Sequence, residues 1–325
     1  MEITITEEVE ARIRAKLRDA KYLPEGHAAL FGRLPRNGVD SMHFVTHGDI
    51  SSQHVLRLGS LTKTLLAFIS LKHGVPLDET VETQLSGLET SCFPGADRVT
   101  FRHLMTHTSG VFNFTELPNA EKLAPAYTPA LLIDLAWKNR ELCFPPGTAR
   151  FYSNTNSEIV ALWLEKSTGA STRELFEKEF RLKSLTLDEG KTLNFPLNTP
   201  GYRDFNLPHS FPSSSGRLLA TAEDILRAMR TMADEKDIWT TMQQWTDAPL
   251  YPDPDNPAGG KKYGLFLQEF PFKGDILAHG HDGHIQVSTI AFETPDYVYL
   301  IHASIDMATP VWMEYVNSIM GEVIS

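Results

Sequence analysis

The sequence predicts an α/β protein of the α+β type: one antiparallel five-stranded sheet flanked by helices, with a mainly helical second domain inserted. Three observations carry this. Two strand-like segments stand early in the chain, three stand late, and the stretch between them is rich in helical spacing and loop residues. The division that follows is residues 1–80 with 205–325 for the sheet domain and 81–204 for the helical one. Ligand sites favour such boundaries, and a length of 325 residues agrees with about two domains.

The elements follow in order. "EEVEARIRAKL" puts Val9, Ile13 and Leu17 on one face of an amphipathic helix. "HAALFGRL" and "SMHFVTHG" read as strands joined by a turn at Asn37-Gly38. In "LTKTLLAFISLKHG", Leu61, Leu65, Phe68 and Ile69 recur at helical spacing, and Gly74 and Pro76 stop the helix. "TFRHLMTHTSG" is a short helix ended by Gly110, "TPALLIDLAWKN" another, and "NTNSEIVALWLEKSTG" a third closed by Gly169. "FPPGTARFYSN" is a loop by its prolines and glycine. Thr221 and Asp224 sit at N-cap spacing and open the helix "AEDILRAM". The late strands are "KYGLFLQEF", "GHIQVSTIAFE" and "YVYLIHASI", the last two around the short connection "TPD". A closing helix from Pro310 aligns Trp312, Tyr315, Val316, Ile319 and Val323.

Composition narrows the function. A net charge of −11 excludes the basic surface that phosphate contacts require, so no nucleic-acid partner is expected. The longest apolar stretch, Leu65–Leu71, falls far short of the ~20 residues of a membrane span. The charged N-terminal segment lacks the apolar core of a secretory signal, which points to a cytoplasmic protein without a membrane partner. Cys92 and Cys143 are the two cysteines, and neither lies in a metal-ligand or CxxC spacing. The expected partner is a small-molecule substrate; oligomeric state has no signature here.

The tract "HGHDGH", His279 to His284, invites a zinc reading. In the zinc hydrolase run H-x-H-x-D-H the aspartate is fifth, whereas here the fifth residue is Gly283 and Asp282 is fourth. The apolar alternation of "IQVSTIAF" implies that the cluster opens a strand, which would splay His281 and Asp282 to opposite faces. His103 and His107 are spaced for a helix face but lack the glutamate of H-E-x-x-H, so a packed helix end is the better reading. No metal and no cofactor is expected.

A serine reading fits better. Ser60-Leu61-Thr62-Lys63 is the only S-x-x-K in the chain, and it opens an apolar helix. Lys63 lies one turn from Ser60 on the same face. A serine hydroxyl becomes a nucleophile when a neighbour takes its proton, and a lysine can do so if burial lowers its pKa. Tyr152-Ser153-Asn154 sits in a loop just before a helix. Its hydroxyl could carry a proton to a leaving group, and its amide could bond both the lysine and a substrate carbonyl.

S-x-x-K, then Y-x-N, then H-x-G at His281-Asp282-Gly283 is the order of the serine β-lactamase and penicillin-recognising superfamily. "LRLGSLTKTLLAFISL", "VTFRHLMTHTSGVFNFTE", "FPPGTARFYSNTNSEIVALWLEKSTG", "SSSGRLLATAEDILRAM" and "GHDGHIQVSTIAF" resemble it in sequence and order. The resemblance runs from about Leu56 to the end and is nearest the class C β-lactamase and DD-carboxypeptidase-like branch, which includes esterases and acyltransferases. It implies a β-lactamase/transpeptidase-like fold with the active site between the two domains. It also implies Ser60 as acylated nucleophile, Lys63 as base and Tyr152 as proton carrier. Asn154 would position Lys63 and the substrate, His281 would replace the lysine of K-T-G, and the backbone N–H groups of Ser60 and His284 would form the oxyanion hole. Gly283 would let the strand approach the substrate closely. Asp282 departs from the hydroxyl residue usual there. On a strand it shares a face with His284, and a carboxylate there repels a substrate carboxylate.

The expected activity is that of a serine hydrolase or acyltransferase acting on a small ester, lactone or amide, neutral or cationic. D-Ala-D-Ala peptides or β-lactams are the alternative substrates. A catalytically silent ligand-binding relative is the alternative of another class.

Overall fold

The structure, a computed structural model, describes residues 5–37, 41–87, 94–116, 141–181, 186–187, 216, 218–251, 262–272, 276–284 and 287–324. The first helix, α1 (Glu7–Leu17), is opened by Thr6, whose hydroxyl accepts the Val9 N–H. Three glutamates lie in its first turn, and Arg14 and Lys16 in its last, as the helix dipole favours. Strands β1 (Ala29–Pro35) and β2 (His43–His47) pair antiparallel, Ala29 opposite His47; Gly38 of the expected turn lies outside the described residues. β3 (Val55–Arg57) leads into α2 (Leu61–Lys72). Every α2 residue from Leu61 to Ser70 is buried, the mark of a core helix.

The middle of the chain contributes α3 (Val81–Leu85), α4 (Phe101–Met105), α5 (Asn154–Thr168) and α6 (Thr172–Phe180). Helix α5 ends at Gly169 with φ +69°, the left-handed cap its sequence predicts. The helix expected over "TPALLIDLAWKN" lies outside the described residues. Then come β4 (Thr186–Leu187), β5 (Leu218–Thr221), α7 (Ala222–Asp234) and α8 (Lys236–Met242). Thr221 caps α7 by accepting the Asp224 N–H, as expected. The chain finishes with β6 (Lys262–Tyr263), β7 (Gln268–Phe272), β8 (Ile276–His284), β9 (Ser288–Glu293), β10 (Tyr297–Ala303) and α9 (Thr309–Val323).

The early and late strands join in one antiparallel sheet, as expected, through the β1–β10 pair. Among the described residues the sheet has seven strands rather than five, in the order β2-β1-β10-β9-β8-β7-β6. Two of the expected strands are each broken. "KYGLFLQEF" divides into β6 and β7 at a tight turn where the Gly264 N–H donates to the Leu267 carbonyl and Phe266 takes φ +48°. "GHIQVSTIAFE" divides between His284 and Ser288, which face each other across a hairpin. The tract "HGHDGH" therefore closes a strand and does not open one. Alternation runs on through this reversal in the sequence, so period two alone could not reveal it. A second, three-stranded sheet, β3-β5-β4, was not foreseen; its strands are two to four residues long, too short for periodicity to register.

Each face of the large sheet carries its own apolar cluster. On one face α1 and α9 lay Ile13, Leu17, Trp312, Tyr315 and Ile319 against Phe31, Ile290, Phe292 and Ile301. On the other, Leu66 of α2 and Leu226 and Met229 of α7 meet Leu30, Ala291 and Leu300. Alternation along β1 sends Leu30 and Phe31 to opposite faces. Phe101, Ile159 and Trp163 of the middle segment belong to this second cluster; α5 packs on α2, and α4 packs on α5. No helix among the described residues is long and apolar enough to cross a membrane.

Candidate active site

The site starts where α2 meets β8. Gly59, at φ +53°, presses its backbone on Gly283: a Cβ built on Gly283 would lie 2.0 Å from the Leu58 carbonyl oxygen and 2.9 Å from the Ser60 nitrogen. A Cβ on Gly59 would lie 3.0 Å from the His284 nitrogen. What Gly283 makes room for is thus the chain itself, Leu58 to Ser60, and not a substrate as the sequence reading has it. The contact brings the backbone nitrogens of Ser60 and His284 to the same junction.

Ser60 stands at the N-cap position of α2 but makes no side-chain cap bond. Its hydroxyl faces two other groups. Lys63 Nζ donates to Ser60 Oγ at 3.2 Å and to Asn154 Oδ1 at 2.7 Å. The Tyr152 hydroxyl donates to Ser60 Oγ at 2.7 Å. Ser60 is the N-cap of α2 and Lys63 lies in its first turn, Tyr152 comes from the loop before α5, and Asn154 is the first residue of α5. Lys63 is wholly buried, and that burial draws its amine down from 10.5 to about 7, against an upward pull from the Glu158 charge. Burial pushes the Tyr152 phenol well above its usual value, and the Asp282 charge adds to the push. Near neutrality the amine can accept a proton while the phenol keeps its own. A donor and an acceptor then converge on one serine oxygen.

Strand β8 forms the third side. His281 Nδ1 lies 2.5 Å from the Asp282 carbonyl oxygen, which can only accept, so Nδ1 carries a proton. In the neutral ring Nε2 then accepts from the Tyr263 hydroxyl at 2.6 Å. Both ring nitrogens are engaged within the protein. Asp282 and His284 share a face, as the sequence predicts, and meet at 3.4 Å. Asp306 lies 3.3 Å from the other ring nitrogen of His284. Burial works against charge on His284, but the bonds from Asp282 and Asp306 outweigh it and hold its pKa up to about 9. Asp282 is only 6% exposed, so it is not turned to solvent. His279 sits apart, between Glu293 at 3.1 Å and Glu269 at 3.6 Å, against the Trp245 ring. Among the described residues no group of three or more His, Cys, Asp or Glu is arranged to hold a metal ion.

Sequence reasoning gave two residues of this site no part in it: it read His107, with His103, as a packed helix end, and did not single out Tyr263. His103 sits in the capping box that opens α4, its Nδ1 accepting the Thr100 N–H. His107 does more. It stands past α4 at φ +57°, accepts the Ser153 N–H at 3.2 Å through Nδ1, and stacks on Tyr152 with ring centres 4.3 Å apart. Burial, aided by the charges of Lys63, His281 and Arg150, holds it neutral. Tyr263, the partner of His281, is the other. Both act through contacts distant in sequence, and no local spacing marks them.

A family model described as beta-lactamase matches residues 43–301. The chain belongs to the β-lactamase family. The matched span holds Ser60, Lys63, Tyr152, Asn154 and the whole of His281–His284, while α1 and α9 lie outside it. Solved structures of similar fold agree. A D-stereospecific amidohydrolase from Streptomyces sp. superposes with a TM-score of 0.76 at 22% identity, covering 94% of this chain and 97% of that one. The D-amino acid amidase from Ochrobactrum anthropi SV3, complexed with L-phenylalanine amide, gives 0.76 at 17% identity over 97% and 99%. The octameric penicillin-binding protein homologue from Pyrococcus abyssi gives 0.71 at 18% identity over 99% and 78%. At these identities the likeness is one of β-lactamase-type fold.

Proposed function

We propose that this protein is a serine hydrolase or acyltransferase that works through an acyl-enzyme on Ser60, at the interface of the sheet segments (1–80 and 205–325) with the helical segment (81–204). One observation carries the reading: Ser60 Oγ receives both Lys63 Nζ and the Tyr152 hydroxyl within hydrogen-bond distance. Neutral Lys63 takes the Ser60 proton as Oγ bonds to a carbonyl carbon. The carbonyl oxygen gathers the negative charge and lies between the backbone N–H groups of Ser60 and His284. Losing one such donor typically costs about 2.7–4 kcal/mol of transition-state stabilisation. As the intermediate collapses, the leaving oxygen or nitrogen takes the Tyr152 proton, and Lys63 restores it. Water or a second nucleophile then attacks the acyl carbon, and Ser60 leaves with a proton.

The substrate we infer is a small amide, ester or lactone, neutral or cationic. A nitrogen leaving group needs a proton, and Tyr152 is held protonated beside Ser60. Similar folds named as an amidohydrolase and an amidase support including amides. Two carboxylates, Asp282 and Asp306, flank His284, which supports a negatively charged face here. That disfavours a substrate carboxylate. The test is a panel of amides, esters, lactones and β-lactams, with Ser60→Ala as control and mass analysis of the Ser60 peptide after fluorophosphonate treatment. Acylation of Ser60 with turnover of uncharged or cationic substrates is expected. Folded protein that takes no label and turns over nothing is a binding relative instead. Nitrocefin hydrolysed as fast as simple esters would overturn the charge argument.

A further inference from the structure

One buried carboxylate has no part in that chemistry. Glu158 lies on α5, one turn beyond Asn154, and is wholly buried. Residues four apart on a helix share a face, so Glu158 stands on the side from which Asn154 accepts the Lys63 ammonium. Helix α5 packs on α2, which carries Lys63. A carboxylate withdrawn from water is costly unless an opposite charge faces it. The Glu158 and Lys63 charges interact across this helix contact.

We infer that Glu158 is a positioning residue of the serine–lysine centre: its carboxylate is the buried counter-charge of Lys63 and sets the pH at which that amine becomes a base. This rests on Lys63 being the base. Among the described residues, the titratable groups facing Lys63 include Glu158 from α5, Tyr152 from the preceding loop and His107 from the turn after α4, and the Asp282 charge from β8 reaches Tyr152. His281 on β8 and Arg150 act on His107 in turn. Tyr152 stays protonated and His107 neutral, so neither supplies negative charge. Asn154 supplies an oxygen dipole but no charge. Burial alone would draw Lys63 down further than it stands, and Glu158 opposes that fall. Without the carboxylate the amine sheds its proton at lower pH and is a weaker base at neutrality, since proton affinity and basicity fall together. A purely structural role, filling the α2–α5 contact, predicts no such change.

The test compares the full chain with Glu158→Gln, which keeps the shape, and Glu158→Asp, which keeps the charge. Two readouts are taken: the acidic limb of kcat/KM for a neutral ester, and the titration of Lys63 followed by the NMR resonance of its Cε. In Glu158→Gln both should move to lower pH by about one unit, and in Glu158→Asp both should stay near the parent. A folded Glu158→Gln protein whose Lys63 titrates within about 0.3 units of the parent overturns the inference. A resonance that moves while the limb stays supports the counter-charge and removes Lys63 from the role of base, so the two failures are read separately. The unaltered protein gives a further check that needs no variant. The Glu158 carboxyl carbon should register the Lys63 step near pH 7, and a flat signal through that step also overturns the inference.

Discussion

Two cations, one buried and one partly exposed, flank the junction of α2 with β8, and the protein treats them in opposite ways. Lys63 is hidden from water with neutral hydrogen-bond partners, Ser60 and Asn154, and its amine falls to about 7. His284 is only partly buried, with 24% of its side chain exposed, but two carboxylates bond its ring directly, and it rises to about 9. Burial acts against charge at both. The difference lies in the opposing pull: hydrogen bonds from Asp282 and Asp306 at His284, the charge of Glu158 at Lys63. A cation in direct contact with carboxylates is fixed as a cation, whereas one that feels its carboxylate across a helix contact is left able to give up its proton. The first suits a structural charge and the second suits a base.

The sharpest way to break this comparison is Lys63→Arg, which restores a permanent charge at the centre meant to lose it. Guanidinium does not deprotonate in proteins, so kcat/KM is expected to fall by about 10²–10⁴-fold while the fold persists. Activity within a few-fold of the parent would sink Lys63 as the base. Next comes Gly283→Ala, which attacks the ground between the two centres. The added methyl meets the Leu58 carbonyl at 2.0 Å, so β8 and the Ser60 segment must separate. Thermal denaturation should register about 1–3 kcal/mol of lost stability, with turnover lost alongside.

The smallest effect belongs to Asp306→Asn, which takes one carboxylate from His284. His284 titrates higher in the folded chain than the ordinary 6.5, so its stabilising contribution is complete below that value and fades as pH rises through about 9. The variant should therefore be less stable than the parent by on the order of 1 kcal/mol at pH 6, and the gap should close by pH 10. Melting curves at the two pH values decide it; a gap that persists at pH 10 assigns Asp306 another role. Lys63 has the reverse slope. Its folded value is below that of the free side chain, so its ionisation works against folding at neutral pH and ceases to as pH rises past 10.5.

What the sequence revealed depended on how local each signal was. The α1 face of Val9, Ile13 and Leu17, the Thr221 cap and the α9 stripe from Trp312 to Val323 are set by neighbours along the chain, and the structure keeps all of them. The S-x-x-K turn is equally local, and its meeting with Tyr152 and Asn154 was expected only from the order of motifs. The strands were harder. Both faces of the sheet are covered, so its strands are buried on both sides and alternation weakens. The break at Gly264–Leu267 was invisible for that reason, and the one after His284 because alternation runs on through it. His107, Tyr263 and Glu158 each take their meaning from a partner in another element, and nothing beside them in the sequence names that partner.

The Gly59–Gly283 contact also bears on how activity appears in time. It joins backbone from opposite ends of the sequence, and both nitrogens proposed to stabilise the oxyanion depend on it. Helices such as α2 and α5 form from nearby residues, while closure of this junction waits on the long-range pairing of β8 with its neighbours. During refolding, helical signal must therefore return before catalytic competence, and the lag between them measures the docking of β8. A chain truncated before β8 could retain its S-x-x-K helix and still have no oxyanion site to show for it.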